Sequence, residues 1–257
     1  MKKWLLFRTY INSPDAIDRF NYLAKKLSSD VHLVWLFDAD YPTPCHYEGS
    51  MPSNCSQFGN SDQSIRNLWP LIFDTYDSVP GNTPRMFASN GEKFSLKWSL
   101  GHLCLLEWWK SVHQPEGRFI TWEHDIWWDR DFNPVKALAP AFRHKKFLTP
   151  MVKPRNTAED SPQPPVRNAP KWFKECMICH DCMTARSSNL FYALDQFSNH
   201  GAWGQVEVIT PSVADTHPNG GKSASWSKVA MDACLQPLIH RFSGQRSRKA
   251  PQRLFKL

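Results

Sequence analysis

The amino-terminal segment carries the pattern that most restricts the fold. Residues 4–10 form an apolar run typical of a buried strand, and Ser13-Pro14-Asp15 has the composition of a helix start. Apolar residues then recur at helical spacing over 15–27, and a second apolar run follows over 31–37. Two strands joined by one helix in so short a segment are predicted to lie parallel, with a right-handed crossover. In such α/β folds, ligands bind beyond the carboxyl ends of the strands.

The rest of the chain continues to alternate between helices and strands. We predict an irregular loop over 41–60, where Pro, Ser, Gly, Asn and Cys are frequent. Further predicted elements are a helix over 95–112, strands over 118–122, 146–152 and 182–186, a helix over 188–197 and a final helix over 226–242. The sequence therefore predicts a single α/β domain with a mostly parallel central sheet flanked by helices.

The chain has enough apolar side chains for one large core. Of its 257 residues, 41% are hydrophobic, with 12 Trp and 16 Phe. The 7 cysteines lack the regular spacing of a disulfide framework, which favours a reducing, cytoplasmic location. No apolar stretch near the start is long enough to span a membrane, so we expect no membrane span.

The formal charge of +7 is concentrated near the end of the sequence. Residues 241–257 form a basic tail, and the remaining body is nearly balanced. This distribution favours a small phosphorylated ligand over a nucleic acid duplex as the partner.

The strand predicted over 118–122 runs into an acidic and aromatic cluster that begins with Glu123-x-Asp125. Residues two apart on an extended strand face the same side, so both carboxylates can approach one point beyond the sheet edge. Carboxylate oxygens are the ligands that Mg²⁺ and Mn²⁺ prefer, commonly together with substrate phosphates. The alternative is a solvated acidic turn, which the apolar strand before it disfavours. A second pair, Asp129-x-Asp131, lies farther from the strand end and favours a turn.

A resemblance to a known family is carried by the run Phe119-Ile120-Thr121-Trp122-Glu123-His124-Asp125-Ile126-Trp127. This run resembles the acidic DxD segment of GT-A-fold nucleotide-sugar glycosyltransferases. The resemblance extends to the opening β-α-β unit, which ends in Asp38-x-Asp40, to the helix before the acidic strand, and to the later segment 201–207. The chain is similar in particular to small single-domain enzymes of bacteria, algae and large algal viruses with a Glu-aromatic-Asp motif.

The resemblance implies a GT-A-like domain in which 1–128 bind the nucleotide sugar and 129–240 bind the acceptor. It implies transfer of a sugar from a nucleoside diphosphate donor to a glycan hydroxyl, with Mn²⁺ or Mg²⁺ as cofactor. UDP-sugars are the expected donors, with UDP-xylose and UDP-glucose as first candidates.

The resemblance also implies roles for individual residues. Asp125 would bind the metal, and Glu123 would bind it through water or hold the donor ribose. Asp38 and Asp40 would contact the nucleoside, and Lys97 would reach the diphosphate or the sugar. Further candidates for donor binding are Arg8 and Arg186, the latter from its position near a predicted strand end.

Inverting glycosyl transfer needs a base for the acceptor hydroxyl, and a carboxylate is the usual choice. Glu207 lies in an apolar segment, 203–209, that resembles the place where inverting family members keep a catalytic acid. The alternative is an ordinary edge-strand glutamate. His217 is a candidate metal ligand because some family members close the site with a late histidine, and the alternatives are a surface-loop role or His240 in its place.

A zinc-containing, nucleic-acid-binding protein is the alternative function. It would use Cys176-x-x-Cys179-His180-x-Cys182 and the basic tail, although structural zinc sites usually combine two separated ligand pairs. A further alternative is a carbohydrate-binding module built on the tryptophans, against which the acids at the predicted strand ends argue.

Overall fold

The computed structural model describes residues 1–9, 13–40, 45–79, 96–124, 126–127, 133–150, 152–155, 166–179, 183–226 and 239–240. Within these ranges the side chains of 96–99, 127 and 239–240 are not described.

Helices and strands alternate along the chain. The strands are β1 (Lys2–Thr9), β2 (Val31–Asp38), β3 (Cys55–Asn60), β4 (Gly117–Glu123), β5 (Ile126–Trp127), β6 (Phe147–Thr149), β7 (Val152–Pro154), β8 (Met177–Cys179), β9 (Met183–Ser187), β10 (Ser223–Ser225) and β11 (Ile239–His240). The helices are α1 (Pro14–Lys26), α2 (Asp62–Leu68), α3 (Pro70–Tyr76), α4 (Leu96–Ser111), α5 (Pro134–Arg143), α6 (Ser188–Asn199) and α7 (Val206–Thr216).

A seven-stranded central sheet has the order β10-β6-β9-β4-β1-β2-β3. Strands β3, β2, β1 and β4 are parallel neighbours, and β10 pairs parallel with β6. Strand β9 is antiparallel to both β4 and β6, so β4, β6 and β10 run in the same direction. The predicted α/β class with a mostly parallel central sheet is therefore confirmed.

Both faces of the sheet are covered by helices. On one face α2, α3, α4, α6 and α7 pack over a core that includes Leu6, Val34 and Phe119. On the other face α1 and α5 pack over a core that includes Trp35, with Phe7 and Phe20 stacked or edge-on against its ring. Strands buried on both faces read as continuous apolar runs, which is why β1, β2 and β4 are apparent in the sequence.

The opening unit follows the sequence prediction closely. Ser13 caps α1, its side-chain oxygen accepting a hydrogen bond from the Ala16 backbone N–H (3.2 Å), and Pro14 occupies the first helical turn. The predicted helices over 95–112 and 188–197 correspond to α4 and α6. The strand predicted over 146–152 is divided into β6 and β7.

Two sequence predictions are wrong. The loop predicted over 41–60 ends in β3, an edge strand whose Ser, Gln, Gly and Asn residues hide the strand pattern. The helix predicted over 226–242 is wrong at 239–240, which form β11 against β5, and 227–238 lie outside the described residues.

Glu207 lies in the first turn of α7, so the alternative of an edge-strand glutamate is also wrong. The β-branched run around Glu207 is typical of a strand, but packing against α4, α6 and β8 holds it as a helix.

In the part of the chain that the structure describes, no helix is both long and apolar enough to cross a membrane.

Candidate functional site at the carboxyl edge of the sheet

The direction of the strand order reverses between β1 and β4. From β1 the chain passes to β2 and β3 on one side, and it then returns to place β4 on the other side of β1. All four strands are parallel, so their carboxyl ends share one edge. In open α/β sheets, the crevice outside the strand ends at such a point is the usual ligand site. We call this the carboxyl edge.

Three of the predicted donor-binding residues meet at the carboxyl edge and point to the same face. Arg8 is in register with Glu123 of β4, and Asp38 is the last residue of β2. Leu6 and Leu36, each two residues earlier on its strand than Arg8 and Asp38, belong to the core under α4. Because side chains alternate along a strand, Arg8 and Asp38 face the α4 side. Glu123 faces the same side, because Phe119, four residues earlier on β4, also belongs to this core.

Arg8 and Glu123 form a nearly buried ion pair. The Arg8 Nη2 to Glu123 Oε1 distance is 2.5 Å, and the two side chains are only 11% and 12% exposed. The pair fixes the direction of the Glu123 carboxylate and neutralises its charge, as a charge-assisted hydrogen bond does in a partly desolvated site. The backbone N–H of His124 also donates to the Arg8 carbonyl (2.9 Å), which ties the end of β4 to β1.

A chain of hydrogen bonds links Asp38 to the start of α2. The Asp38 Oδ1 accepts from the Asp40 backbone N–H (2.9 Å), and the Asp40 Oδ2 accepts from the Asp62 backbone N–H (2.6 Å). Asp38 is buried and Asp40 is exposed. The two predicted nucleoside contacts thus belong to one hydrogen-bonded turn beyond β2.

A second acidic residue reaches the same edge from α4. Glu107 is buried, and its Oε2 accepts from the side-chain amide of Asn60, the last residue of β3 (2.7 Å). The same Asn60 amide donates to the Cys104 carbonyl (2.8 Å), so β3 is tied to the middle of α4.

The carboxyl groups at this edge hinder one another's ionisation. Burial, followed by the charges of Asp40 and Asp38, raises the pKa of Asp62 to about 7. Burial also raises the pKa of Glu107, against the hydrogen bond from Asn60. The edge therefore concentrates negative charge, with Arg8 as a cation within it.

Arg186 does not lie at this edge. It is fully buried in β9 opposite Phe119, and its guanidinium carbon is 5.7 Å from the Phe147 ring centroid. Because β9 is antiparallel to β4, its carboxyl end lies at the opposite edge of the sheet. The adjacent His102 is buried, and burial and then Arg186 lower its pKa to about 3. Arg186 therefore belongs to the core environment, and the predicted phosphate contact from a strand end does not fit its position.

His217 is not brought together with Glu123. It follows α7 and precedes β10, whose amino end pairs with the first residue of β6, at the edge away from Glu123. Its Nε2 is 3.0 Å from the Gln196 Oε1, its Nδ1 accepts from the Asn219 backbone N–H, and its ring packs edge-on against Trp172. Both ring nitrogens are engaged in this local contact, which fits the surface-loop alternative.

Glu207 begins α7, which packs against α4. The neighbouring Val206 faces Gly101 in α4, where a Cβ added to the glycine would be 3.7 Å from a valine methyl group. Helix α4 also carries Glu107, whose carboxylate reaches the carboxyl edge. The partly exposed Glu207 thus begins a helix that lies beside the helix bordering the candidate site.

Several predicted residues fall outside the described part of the structure. Lys97 lies in the first turn of α4, but its side chain is not described. Asp125, between the end of β4 and β5, and the rival pair Asp129 and Asp131 lie outside the described residues, as does His180. His240 lies in β11 without a described side chain.

The described donors suit a hard cation in type but do not complete a metal site. Carboxylate oxygens are the ligands that Mg²⁺ and Mn²⁺ take. Among the residues with described side chains, however, no group of three His, Cys, Asp or Glu is arranged to hold a metal. A cation at the carboxyl edge would therefore need Asp125 or substrate phosphate in addition to Glu123.

The cysteine segment shows no converging thiols where it is described. Cys176 immediately precedes β8 and Cys179 ends it. Residues three apart on an extended strand face opposite sides, so the two thiols diverge, and Cys179 is buried. This geometry does not favour the zinc alternative.

Asn60, Asp62 and Glu107 were not predicted as site residues. Asn60 and Asp62 can be predicted as site residues only after β3 has been recognised as a strand beside β2. Glu107 had a signal in the sequence, because it is a lone acid within the otherwise apolar run Leu103–Trp109 of a predicted helix. Such a residue is buried only with a specific partner.

No protein-family model matches the chain, and no curated protein matches it either.

Proposed function

We propose that the protein is a metal-dependent glycosyltransferase that moves a sugar from a nucleoside diphosphate donor, with UDP-sugars as first candidates, to a glycan hydroxyl. The observation that carries this proposal is the position of Arg8, Asp38 and Glu123 on one face of the sheet, at the point where the strand order reverses. A nucleotide in this crevice would contact the turn beyond β2. The GT-A resemblance of the 119–127 segment supports the same assignment.

The described residues can orient a donor in two ways. Asp38 and Asp40 are held by the hydrogen bonds of their own turn, so they present acceptors to hydroxyl groups of a ribose or a base edge without reorganisation. Arg8 keeps Glu123 in one direction across the crevice. A divalent cation bound by Glu123 and Asp125 would neutralise the diphosphate leaving group.

Glu207 is the proposed base of an inverting transfer. It is partly exposed in the first turn of α7, and a carboxylate can accept the proton of the acceptor hydroxyl. The packing of α7 on α4, the helix whose Glu107 reaches the carboxyl edge, supports this role.

A thermal-shift screen of nucleoside diphosphate sugars with and without Mn²⁺ tests the proposal. A donor that binds only the folded protein raises the unfolding midpoint, and we expect this rise to require the metal. The matched variant is Glu123→Gln, which keeps the shape but removes the charge. Absence of a shift with all nucleotide sugars, or an equal shift in wild type and Glu123→Gln, would contradict the assignment.

A further inference from the structure

The edge of the sheet opposite the candidate site carries a set of exposed lysines. Lys2 begins β1, and Lys25 and Lys26 lie at the end of α1, shortly before β2. Lys145 and Lys146 lie between α5 and β6, and Lys222 immediately precedes β10. All six are exposed, and we call them the basic edge. Arg143, exposed at the end of α5, adds a further cation beside them.

The topology requires these lysines to share one edge. Strands β1, β2, β4, β6 and β10 run in the same direction, so their amino ends lie together. Two contacts join strands at this edge: Arg118 at the start of β4 donates to the Lys146 carbonyl just before β6 (2.9 Å), and Phe147 of β6 donates to the Lys222 carbonyl just before β10 (2.8 Å). Helices α1 and α5 pack beside each other on one face and both end here.

The charge of the basic edge is not balanced locally. In the described part of the chain none of the six lysines forms an ion pair, whereas the adjacent Lys3 pairs with Asp30 (Nζ to Oδ2, 2.5 Å). Two nearby carboxylates, Glu116 and Asp215, accept hydrogen bonds from Ser188 and from the Ser223 backbone N–H. These two carboxylates offset part of the positive charge, but the six lysines and Arg143 outnumber them, so the edge keeps a positive excess.

Helix stability explains only part of this pattern. Lys25 and Lys26 oppose the partial negative charge at the carboxyl end of α1, which is a sufficient structural reason for them. Lys2, Lys145, Lys146 and Lys222 lie outside the helices, and the helix dipole does not account for them. Like charges at this density repel one another, and an anionic partner would relieve the repulsion.

We propose that the basic edge docks the protein on an anionic phospholipid surface. The edge extends from β10 to β2, about 25 Å at a spacing of about 4.8 Å per strand, which is wide enough for several headgroups. Lysine is a hydrated point charge that is attracted to a fluid anionic surface without fixed register. Sequence readout of nucleic acid instead favours arginine forks and stacked aromatic side chains.

The proposal does not depend on the glycosyltransferase assignment, because it uses only the amino ends of the strands. Docking through this edge would leave the carboxyl edge facing away from the lipid, about 23 Å away for strands of seven residues.

Co-sedimentation of the full chain with vesicles tests the proposal. We expect binding to phosphatidylcholine vesicles that contain about 30 mol% phosphatidylserine, and none to pure phosphatidylcholine. Each lysine near an anionic surface contributes about five-fold to binding, so Lys145→Gln with Lys146→Gln should weaken it about 25-fold. The matched control, Lys136→Gln, lies in the first turn of the same α5 at its other end and should stay within about two-fold of wild type.

Three outcomes would overturn the proposal. Unchanged vesicle binding by the double variant would mean that another part of the chain binds the vesicles, such as the basic tail 241–257. A loss of binding in Lys136→Gln equal to that in the double variant would show an effect of net charge alone. Tighter binding to a duplex oligonucleotide than to the vesicles, lost in the double variant, would make the edge a nucleic-acid surface. If the double variant does not fold, Lys25→Gln with Lys26→Gln gives the same test from the neighbouring helix.

Discussion

Asp62 begins α2, and its carboxyl oxygen Oδ1 is buried with no hydrogen-bond partner among the described residues. Its pKa is raised to about 7 from the ordinary value of 3.8. As pH rises, the unfolded chain loses this proton near pH 4, whereas the folded protein keeps it until about pH 7. The free energy of unfolding therefore falls between these two pH values and stays lower above them.

Asp62→Asn should remove this pH-dependent fall in the free energy of unfolding. At pH about 8 we expect the variant to unfold about 2–4 °C higher than wild type, after allowance for solvent screening at a partly exposed site. At pH about 3 the advantage should largely vanish, because wild-type Asp62 is then mostly protonated in both states. Asp74→Asn, which removes an exposed carboxylate from the adjacent α3, should leave the wild-type pH profile unchanged. Parallel profiles for wild type and Asp62→Asn would contradict the prediction.

Asp125 is the residue on which metal binding depends in the proposed function. Asp125→Ala should leave a folded protein whose unfolding midpoint no longer rises when UDP and Mn²⁺ are added together, because one of two carboxylate ligands is gone. Asp131→Ala is the paired control and should respond as wild type does. Retained metal-dependent stabilisation in Asp125→Ala would remove this residue from the site.

In the proposed function, a substitution of Glu207 should slow sugar transfer without weakening donor binding. Glu207→Gln should keep wild-type affinity for donor and Mn²⁺ while sugar transfer falls by about 100-fold or more, because the amide cannot accept the hydroxyl proton. Transfer rates and calorimetric affinities, measured on the same preparation, check this. A wild-type rate would make Glu207 structural, and product with the anomeric configuration of the donor would remove the need for a base.

At the level of helices and strands, the turn from α7 into β10 depends on close backbone approach. A Cβ at Gly220 would lie 2.5 Å from the carbonyl oxygens of both Val213 and Ala214. We expect Gly220→Ala to destabilise the protein by about 1–3 kcal/mol, since backbone atoms must shift. Gly101→Ala in α4 is the matched control and should change stability little, because its Cβ would make only ordinary contacts next to the kink at Leu100. Urea unfolding of both variants measures the difference in their free energies of unfolding. Equal values would show that the turn accommodates the added Cβ without cost.

The elements buried on both faces are the ones that the sequence predicts well. Strands β1, β2 and β4 are continuous apolar runs, and α1, α4 and α6 are long enough to be recognised as helices. The predicted strands place Arg8, Asp38 and Glu123 at one edge. Strand β3 escaped prediction because an edge strand needs little apolar surface, and with it Asn60 and Asp62 were missed. Helix α7 was missed because tertiary packing overrides the strand preference of its β-branched residues.

The pairing of strands within the sheet could likewise not be predicted from the sequence. Because β9 lies antiparallel between β4 and β6, Arg186 is opposite Phe119 and not at the carboxyl edge. This position follows only from the strand order. The position of His217 relative to Glu123 likewise depends on the direction of β10, which the sequence does not show, and it fits the surface-loop alternative.

For the molecule as a whole, the sheet separates charge along its strand direction. Asp38, Asp40, Asp62, Glu107 and Glu123 gather at the carboxyl ends, and the lysines of the basic edge gather at the amino ends. The helix dipoles of α1 and α5 are compatible with this separation at the basic edge.

Under the proposed function, the acidic carboxyl edge couples the binding of the nucleotide to the binding of the cation. A nucleoside diphosphate that approaches without a cation meets carboxylates of its own sign, whereas a divalent cation is attracted to them. Titration calorimetry should therefore find UDP binding at least about ten-fold weaker before Mn²⁺ is added than after, and the gap should narrow as salt screens the charges. Equal UDP affinity with and without Mn²⁺ would mean that the two ligands do not influence each other's binding. With the expected coupling, the free concentration of the metal ion would decide how much of the protein can accept a donor in the proposed function.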